Sequence, residues 1–293
     1  MNSALTDAQP AKSYGAPFLA LVAGALAMGA SPIFVRLADV GPFTSAFWRV
    51  ALALPILYAW MRLAERDGAR SRSFSRAIIL SGLAFAGDLF FWHLSIVSTT
   101  IANATFFATT APIWVVIFGW LLFRTRASPS VLAGLALCLA GGGALLAQSL
   151  NLHAGRAIGD LCGLTTGIFF GLYFLAVQAA RRESSAARVT FEATLITAAL
   201  LLIVALVLEH RFWPHSAAGL AALLAMAWIS HAGGQGLLAA ALGRLPAVFS
   251  SLVIFLEAIA AACFAWAALN EPVSAVQAAG GLAILLGIYV ARP

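Results

Sequence analysis

The chain is 293 residues long, 62% hydrophobic and only 10% charged, with a mean hydropathy of +0.96. Soluble domains carry about 25% charged residues. A shortfall spread along nearly the whole chain therefore excludes an ordinary soluble enzyme or binding module and indicates an all-α polytopic membrane protein. The net charge of +6 is then a matter of orientation in the bilayer and not a nucleic-acid footprint.

Residues 1–14 are polar, with Lys12 their only basic group, and read as a cytoplasmic tail. The apolar run that follows is about 20 residues long, against 7–15 for a signal-peptide core, and reads as a retained first helix. Ten apolar segments follow in order, cut by charges, proline or glycine: 16–36, 43–63, 76–98, 100–123, 129–149, 157–180, 188–209, 216–240, 246–269 and 272–291. Several open with a proline (Pro42, Pro129, Pro246, Pro272), which is tolerated where the helical N–H has no partner. Cys138, Cys162 and Cys263 all fall inside apolar segments. They show no disulfide or zinc spacing and read as small apolar packers.

The loops carry their basic residues unevenly. Thirteen fall on one side: Lys12; Arg62, Arg66, Arg70, Arg72 and Arg76; Arg124 and Arg126; Arg181, Arg182 and Arg188; Arg244; and Arg292. Only Arg36, Arg49, Arg156 and Arg211 fall on the other. The richer side is expected to be cytoplasmic, with both termini inside, in a bacterial inner membrane.

The halves repeat. LSIVSTTIANATFFATTAPIWVVIFGWLLFRTRASPSVLAGLALCLAGG (94–142) aligns without gaps on AALGRLPAVFSSLVIFLEAIAAACFAWAALNEPVSAVQAAGGLAILLGI (240–288). The offset pairs Gly134 with Gly280, Gly141 with Gly287, Pro112 with Ala258 and Ala111 with Glu257. Five spans per half reverse the second copy, so the expected units are 15–150 and 151–293, inverted about an axis in the membrane plane. Secondary transporters are commonly built this way, with their sites near the midplane between the repeats.

GASPIFVRLADVGPFTSAFWRVALALPIL (29–57) and NEPVSAVQAAGGLAILLGIYV (270–290) resemble the opening and closing segments of EamA-type members of the drug/metabolite transporter superfamily. The first repeat departs from that pattern, with Arg124-Thr125 where such repeats often carry Gly-Glu. The resemblance implies ten helices around a central cavity lined mainly by spans 1, 3, 4, 6, 8 and 9. Within the superfamily the chain looks most like the bacterial exporters of aromatic and other amino acids.

Asp88 lies near the centre of the third span, where a charge costs roughly 2.5–3.5 kcal/mol to insert. At 100° per residue Trp92 and Ser95 share its face, and His93 points about 140° away. A carboxylate, a ring and a hydroxyl on one face suit a substrate with an ammonium group and a ring. The alternative is a structural carboxylate bonded to another helix. Glu257 lies near the centre of the ninth span, with no charge within two turns in its own sequence. It is expected either to bind substrate or a proton, or to donate one interhelical hydrogen bond when protonated.

His231 and Gln235, one turn apart beside Gly233, Gly234 and Gly236, suit a polar cavity wall or a packing contact equally. Asn103 and Thr105 in the fourth span, and Thr165, Thr166 and Tyr173 in the sixth, are weaker substrate-site candidates; hydroxyls in membrane helices often bond only their own backbone. Pro32 and Pro112 are candidate hinges or static kinks. Among the tryptophans, Trp60, Trp120 and Trp213 read as interface anchors, and Trp92, Trp114 and Trp228 as cavity candidates. Gly163, Gly167 and Gly171 permit close approach of a neighbouring helix, expected in the same chain.

No phosphate-binding GxxxxGK[ST], GxSxG or HExxH motif is present, so neither ATP-driven transport nor intramembrane hydrolysis is expected. No cofactor or metal is expected either. The expected activity is secondary export or facilitated diffusion of amino acids and related metabolites by alternating access. A multidrug exporter of lipophilic cations is the alternative on the same fold. Expected partners are these small molecules and membrane lipids, with a monomer as the functional unit and a dimer as the alternative.

Overall fold

The computed structural model describes residues 14–66, 71–147, 154–269 and 274–292. The Lys12 tail, Arg70, and the Asn270, Glu271 and Pro272 of the closing segment lie outside the described residues. Among the described residues all regular structure is helical. Eight spans are long and apolar enough to cross a membrane: α1 (Gly15–Leu37), α2 (Pro42–Ala64), α3 (Arg76–Ser98), α4 (Ile101–Phe123), α5 (Pro129–Leu146), α6 (Ala157–Ala180), α7 (Ala186–Leu208) and α8 (Ala217–Leu242). Two more complete the set: α9, in two pieces (Ala247–Val253 and Leu256–Leu269), and α10 (Ala275–Val290). Large apolar side chains on the outside, such as Leu19, Ile158 and Val207, are more than 60% exposed. That surface is suited to lipid and not to water.

Short polar side chains start many of these helices. Ser75, Thr100, Ser128, Ser185, Ser216 and Ser274 each accept a hydrogen bond from an N–H of the first turn. Such caps satisfy donors that have no helical partner and contribute about 1 kcal/mol each.

Four helices are interrupted midway. The breaks fall at Gly29–Ala30 in α1, Leu52–Ala53 in α2, Thr109–Thr110 in α4 and Ile254–Phe255 in α9. In the first three a proline (Pro32, Pro55, Pro112) opens the second piece. Its ring clashes with the carbonyl four residues back and supplies no N–H, so the ladder is cut just before it. The sequence reading placed Pro32 and Pro112 as kinks and missed Pro55. The α9 break has no proline at all. There the backbone tightens into bonds three residues long, Phe255 N–H to the Leu252 carbonyl (3.1 Å) and Glu257 N–H to the Ile254 carbonyl (2.8 Å). Met226–Gln235 of α8 is a π-helix, a geometry that is rare and frequent at functional sites.

The packing repeats when the halves are exchanged. Helix α3 packs on α6, as α8 packs on α1; α4 packs on α6, as α9 packs on α1; α3 meets α7, as α8 meets α2. Two pairs map onto themselves, α2 with α7 and α5 with α10. In the second of these, a Cβ on Gly134 would stand 2.5 Å from the Gly287 carbonyl, and one on Gly141 would stand 2.6 Å from that of Gly280. The residues paired along the sequence are thus crossed in space, as an antiparallel self-pair of inverted repeats requires. The Gly163, Gly167 and Gly171 stripe of α6 meets α4 of the same chain, at Phe107, Thr110 and Trp114.

The α2–α7 pair is fastened at both ends by a glutamate that ends one helix and reaches the start of the other. Glu209, after α7, accepts from the N–H groups of Phe43 (2.8 Å) and Thr44 (2.9 Å) at the start of α2. Glu65, after α2, accepts from the Ser185 hydroxyl (3.0 Å) and is ion-paired with Arg188 at the start of α7. Arg188 also pairs with Glu192 at 2.8 Å.

Arg49 does not belong with the loop charges. It lies inside α2 and is only 4% exposed. Seven residues beyond Pro42, it sits ~10 Å into the helix at 1.5 Å per residue. The basic residues of the poorer side are then Arg36, Arg156 and Arg211, and the asymmetry between the two sides sharpens.

Candidate functional site

The breaks of α1, α4 and α9 and the end of the π-helix meet in the middle of the bundle. There a cavity is lined by Met28 and Ser31 of α1, Arg49 of α2, Asp88, Leu89 and Trp92 of α3, Ala108 of α4, Thr166 and Phe170 of α6, Gln235 of α8, and Glu257 of α9. Its volume is about 40 Å³, enough for a few water molecules and too small for an amino acid. A second cavity of about 20 Å³ adjoins it and shares Trp92, Ala108, Phe170 and Glu257 with the first.

Three charges face the larger space. Asp88 is 6% exposed and Arg49 4%; Glu257 is half-buried, with its Oε1 atom fully buried. Arg49 interacts electrostatically with both carboxylates. The ion pairs among the described residues join other groups, and none joins Arg49 to Asp88 or Glu257. The charges therefore surround the space without closing it. Around them, Arg49 Nε, Gln235 Oε1, Glu257 Oε1 and Ser31 Oγ are buried and have no protein hydrogen-bond partner. A buried polar atom left unpaired costs about 1–3 kcal/mol, so the site is built to receive something polar.

Of the residues singled out in the sequence, Asp88, Trp92, Thr166, Gln235 and Glu257 are brought together on this cavity, and Pro32 and Thr105 line its neighbour. Others are placed elsewhere. Ser95 donates to the Gly159 carbonyl (2.8 Å) where α3 packs on α6. Asn103 donates to Asp160 (2.8 Å) at the start of α6. Tyr173 stands behind the cavity wall, stacked on Phe170 at 6.0 Å. His231 shares a hydrogen bond with Thr194 (2.9 Å) and stacks on Phe85. His93 turns away from Asp88, as the helical angle requires, and its Nδ1 is 2.8 Å from the Leu89 carbonyl. Pro112 stands at the α4 break, three residues past the lining residue Thr109.

The other two tryptophans read as cavity candidates, Trp114 and Trp228, diverge from expectation. Trp228 is 49% exposed and donates to the carbonyl of Leu52 (3.2 Å), which the α2 break leaves free. Trp114 stacks on Phe118 and does not line either cavity. The glycines beside Gln235 serve close packing as well: Gly234 meets Met28 and the Gly24 carbonyl of α1.

Arg49 is the residue that sequence reasoning missed as a site group. One signal could have found it: an arginine two turns into an apolar span, with no acidic residue on its own helix, has to find its partners on other helices.

The model of the EamA-like transporter family matches residues 16–146 and again 157–292. The chain is 27% identical over 269 residues to an archaeal protein from Archaeoglobus fulgidus described as an uncharacterized transporter, covering 88% of this chain and 91% of that one. A solved crystal structure with 19% identity has the same fold, with a TM-score of 0.82 over 96% of this chain and 98% of its own.

Proposed function

The chain belongs to the EamA-like transporter family, and from that premise we propose that it exports, or passively equilibrates, amino acids and related small metabolites, aromatic amino acids prominent among them. As a multi-pass membrane transporter it is not an enzyme. The observation that carries the substrate class is Arg49 facing Asp88 and Glu257 across one cavity, beside Trp92. An amino acid has the complementary set: a carboxylate for Arg49, an ammonium for a carboxylate, and a side chain for the ring.

Arg49 also weighs against the alternative cargo. A lipophilic cation would gain from Asp88 and Glu257 but would meet Arg49 as a like charge, which costs affinity. The resident positive charge favours a zwitterion.

Transport in this reading is alternating access between two units, 15–150 and 151–293, around the midplane site. The interrupted helices α1, α4 and α9 are the segments best suited to bend, with Pro32 and Pro112 as hinges. The basic-residue asymmetry supports cytoplasmic termini in a bacterial inner membrane. Either midplane carboxylate is a candidate proton carrier for antiport, with uncoupled facilitation as the rival.

Counterflow in proteoliposomes loaded with one aromatic amino acid tests the reading. Exchange of labelled aromatic amino acids, with lipophilic cations competing weakly, is expected. Exchange of cations without amino acids would overturn it. Counterflow indifferent to an imposed pH gradient would remove the proton model alone.

A further inference from the structure

The smaller cavity differs in chemistry from the larger one, although Glu257 lines both. Besides Trp92, Ala108, Phe170 and Glu257, which both share, it is lined by Gly29, Pro32, Ile254, Thr109 and Thr105. Neither Arg49 nor Asp88 reaches it. It is a ring-walled space that adjoins the larger one, with Glu257 as the charge on its lining.

Its two threonines are not equivalent. Thr109 spends its hydroxyl on the Phe106 carbonyl of its own helix at 2.8 Å, the usual habit of threonine in a membrane helix. The Thr105 hydroxyl is buried and has no partner, and the residue is 7% exposed. A threonine whose hydroxyl lacks even the local backbone bond, on the wall of that space, is an unfilled contact.

We infer that this cavity is the side-chain subsite of the transporter, and that Thr105 determines its specificity by hydrogen-bonding a polar atom on the substrate's ring. The inference rests on the amino acid reading above. The substrate's charged head lies between Arg49 and Asp88, Trp92 and Phe170 flank the passage, and the ring enters beside Pro32 and Ile254. A phenol or an indole N–H satisfies Thr105; a bare phenyl leaves it unpaired. A site with a buried hydroxyl to satisfy discriminates by that atom more sharply than an apolar pocket discriminates by size.

The space must enlarge to take a ring, and its position allows this. Gly29, Thr109 and Ile254 line it, and each stands at an interruption of its helix. Three helices that lack continuous ladders at this point can part here with the loss of few backbone bonds.

The test is the ratio of tyrosine to phenylalanine counterflow, two substrates that differ by one hydroxyl. Wild-type protein should favour tyrosine. Thr105→Val, which keeps the shape and removes the hydroxyl, should lower that ratio about fivefold, and Thr105→Ser should retain it. An unchanged ratio in Thr105→Val, an equal loss in Thr105→Ser, or no tyrosine preference in the wild type would overturn the inference while amino acid transport stands. No amino acid counterflow in correctly folded wild-type protein would overturn both. Because the readout is a ratio within each variant, altered expression or stability does not imitate it.

Discussion

The Arg49 guanidinium carbon lies 5.3 Å from the centroid of the Trp92 ring. The two residues come from α2 and α3 and line the same cavity. A cation over an indole face is worth about 0.5–2 kcal/mol, more where water is excluded. The pair holds the guanidinium in the cavity while its Nε keeps an open donor.

Arg49→Ala should therefore raise KM for zwitterionic amino acids ~10-fold or more, since a hydrogen bond to a charged group is worth about 1.5–3 kcal/mol. Arg49→Lys keeps the charge without the planar fork and should fall between. An amine analogue lacking the carboxylate should lose nothing and should gain, because for it Arg49 is only a like charge. Counterflow with both substrates measures this, and an equal loss for both would mean that Arg49 serves only the fold.

Asp88→Asn should reduce amino acid counterflow at least ~10-fold, through loss of the ammonium's charged partner. Wild-type counterflow in that variant would show that the carboxylate does not hold the substrate. Glu257→Gln gives the companion measurement. If proton antiport holds, one of the two variants should exchange substrate normally yet ignore a pH gradient.

Gly141→Ala should destabilise the α5–α10 pair by about 1–3 kcal/mol, the usual cost of overpacking. The added methyl would stand 2.6 Å from the Gly280 carbonyl, and backbone gives way less readily than side chain. Gly143→Ala is the control, because its methyl would meet only the Phe106 ring at an ordinary 3.7 Å. Thermal unfolding in detergent should separate the two variants, and equal melting temperatures would contradict the packing.

Glu65 makes a pH-dependent contribution to stability. Its hydrogen bonds from Arg188 lower its pKa below the ordinary 4.5, with burial opposing. A carboxylate whose folded pKa is depressed stabilises the fold fully above its unfolded value, and the contribution disappears as pH falls through the folded value. Glu65→Gln should thus melt below wild type at pH 7, and the gap should shrink as pH drops below about 4.5. A gap independent of pH would show that the Arg188 pairing does not act through charge.

Hydropathy and helical period alone determined a good deal. Runs of about 20 apolar residues located the spans, because a bilayer leaves backbone groups no partner except their own helix. The 100° step put Asp88 and Trp92 on one face and His93 on another, and the half-chain offset gave Gly134, Gly141, Gly280 and Gly287 their correspondence. These properties are local or periodic, so a linear chain displays them.

Tertiary structure decided which polar groups are spent on packing and which are left open. Ser95 shares the Asp88 face in the sequence, yet its hydroxyl goes to Gly159 because α6 packs there. Asn103 is taken by Asp160, 57 residues away. Arg49 looked like a loop charge until α2 was seen to carry it inward, against α3 and α9. The α9 break has no proline to announce it, and the π-turns of α8 leave no compositional mark. A helix's own sequence states which residues share a face. Which neighbour that face meets depends on contacts between distant segments, and those contacts decide whether a buried polar atom is already satisfied or still open to a substrate.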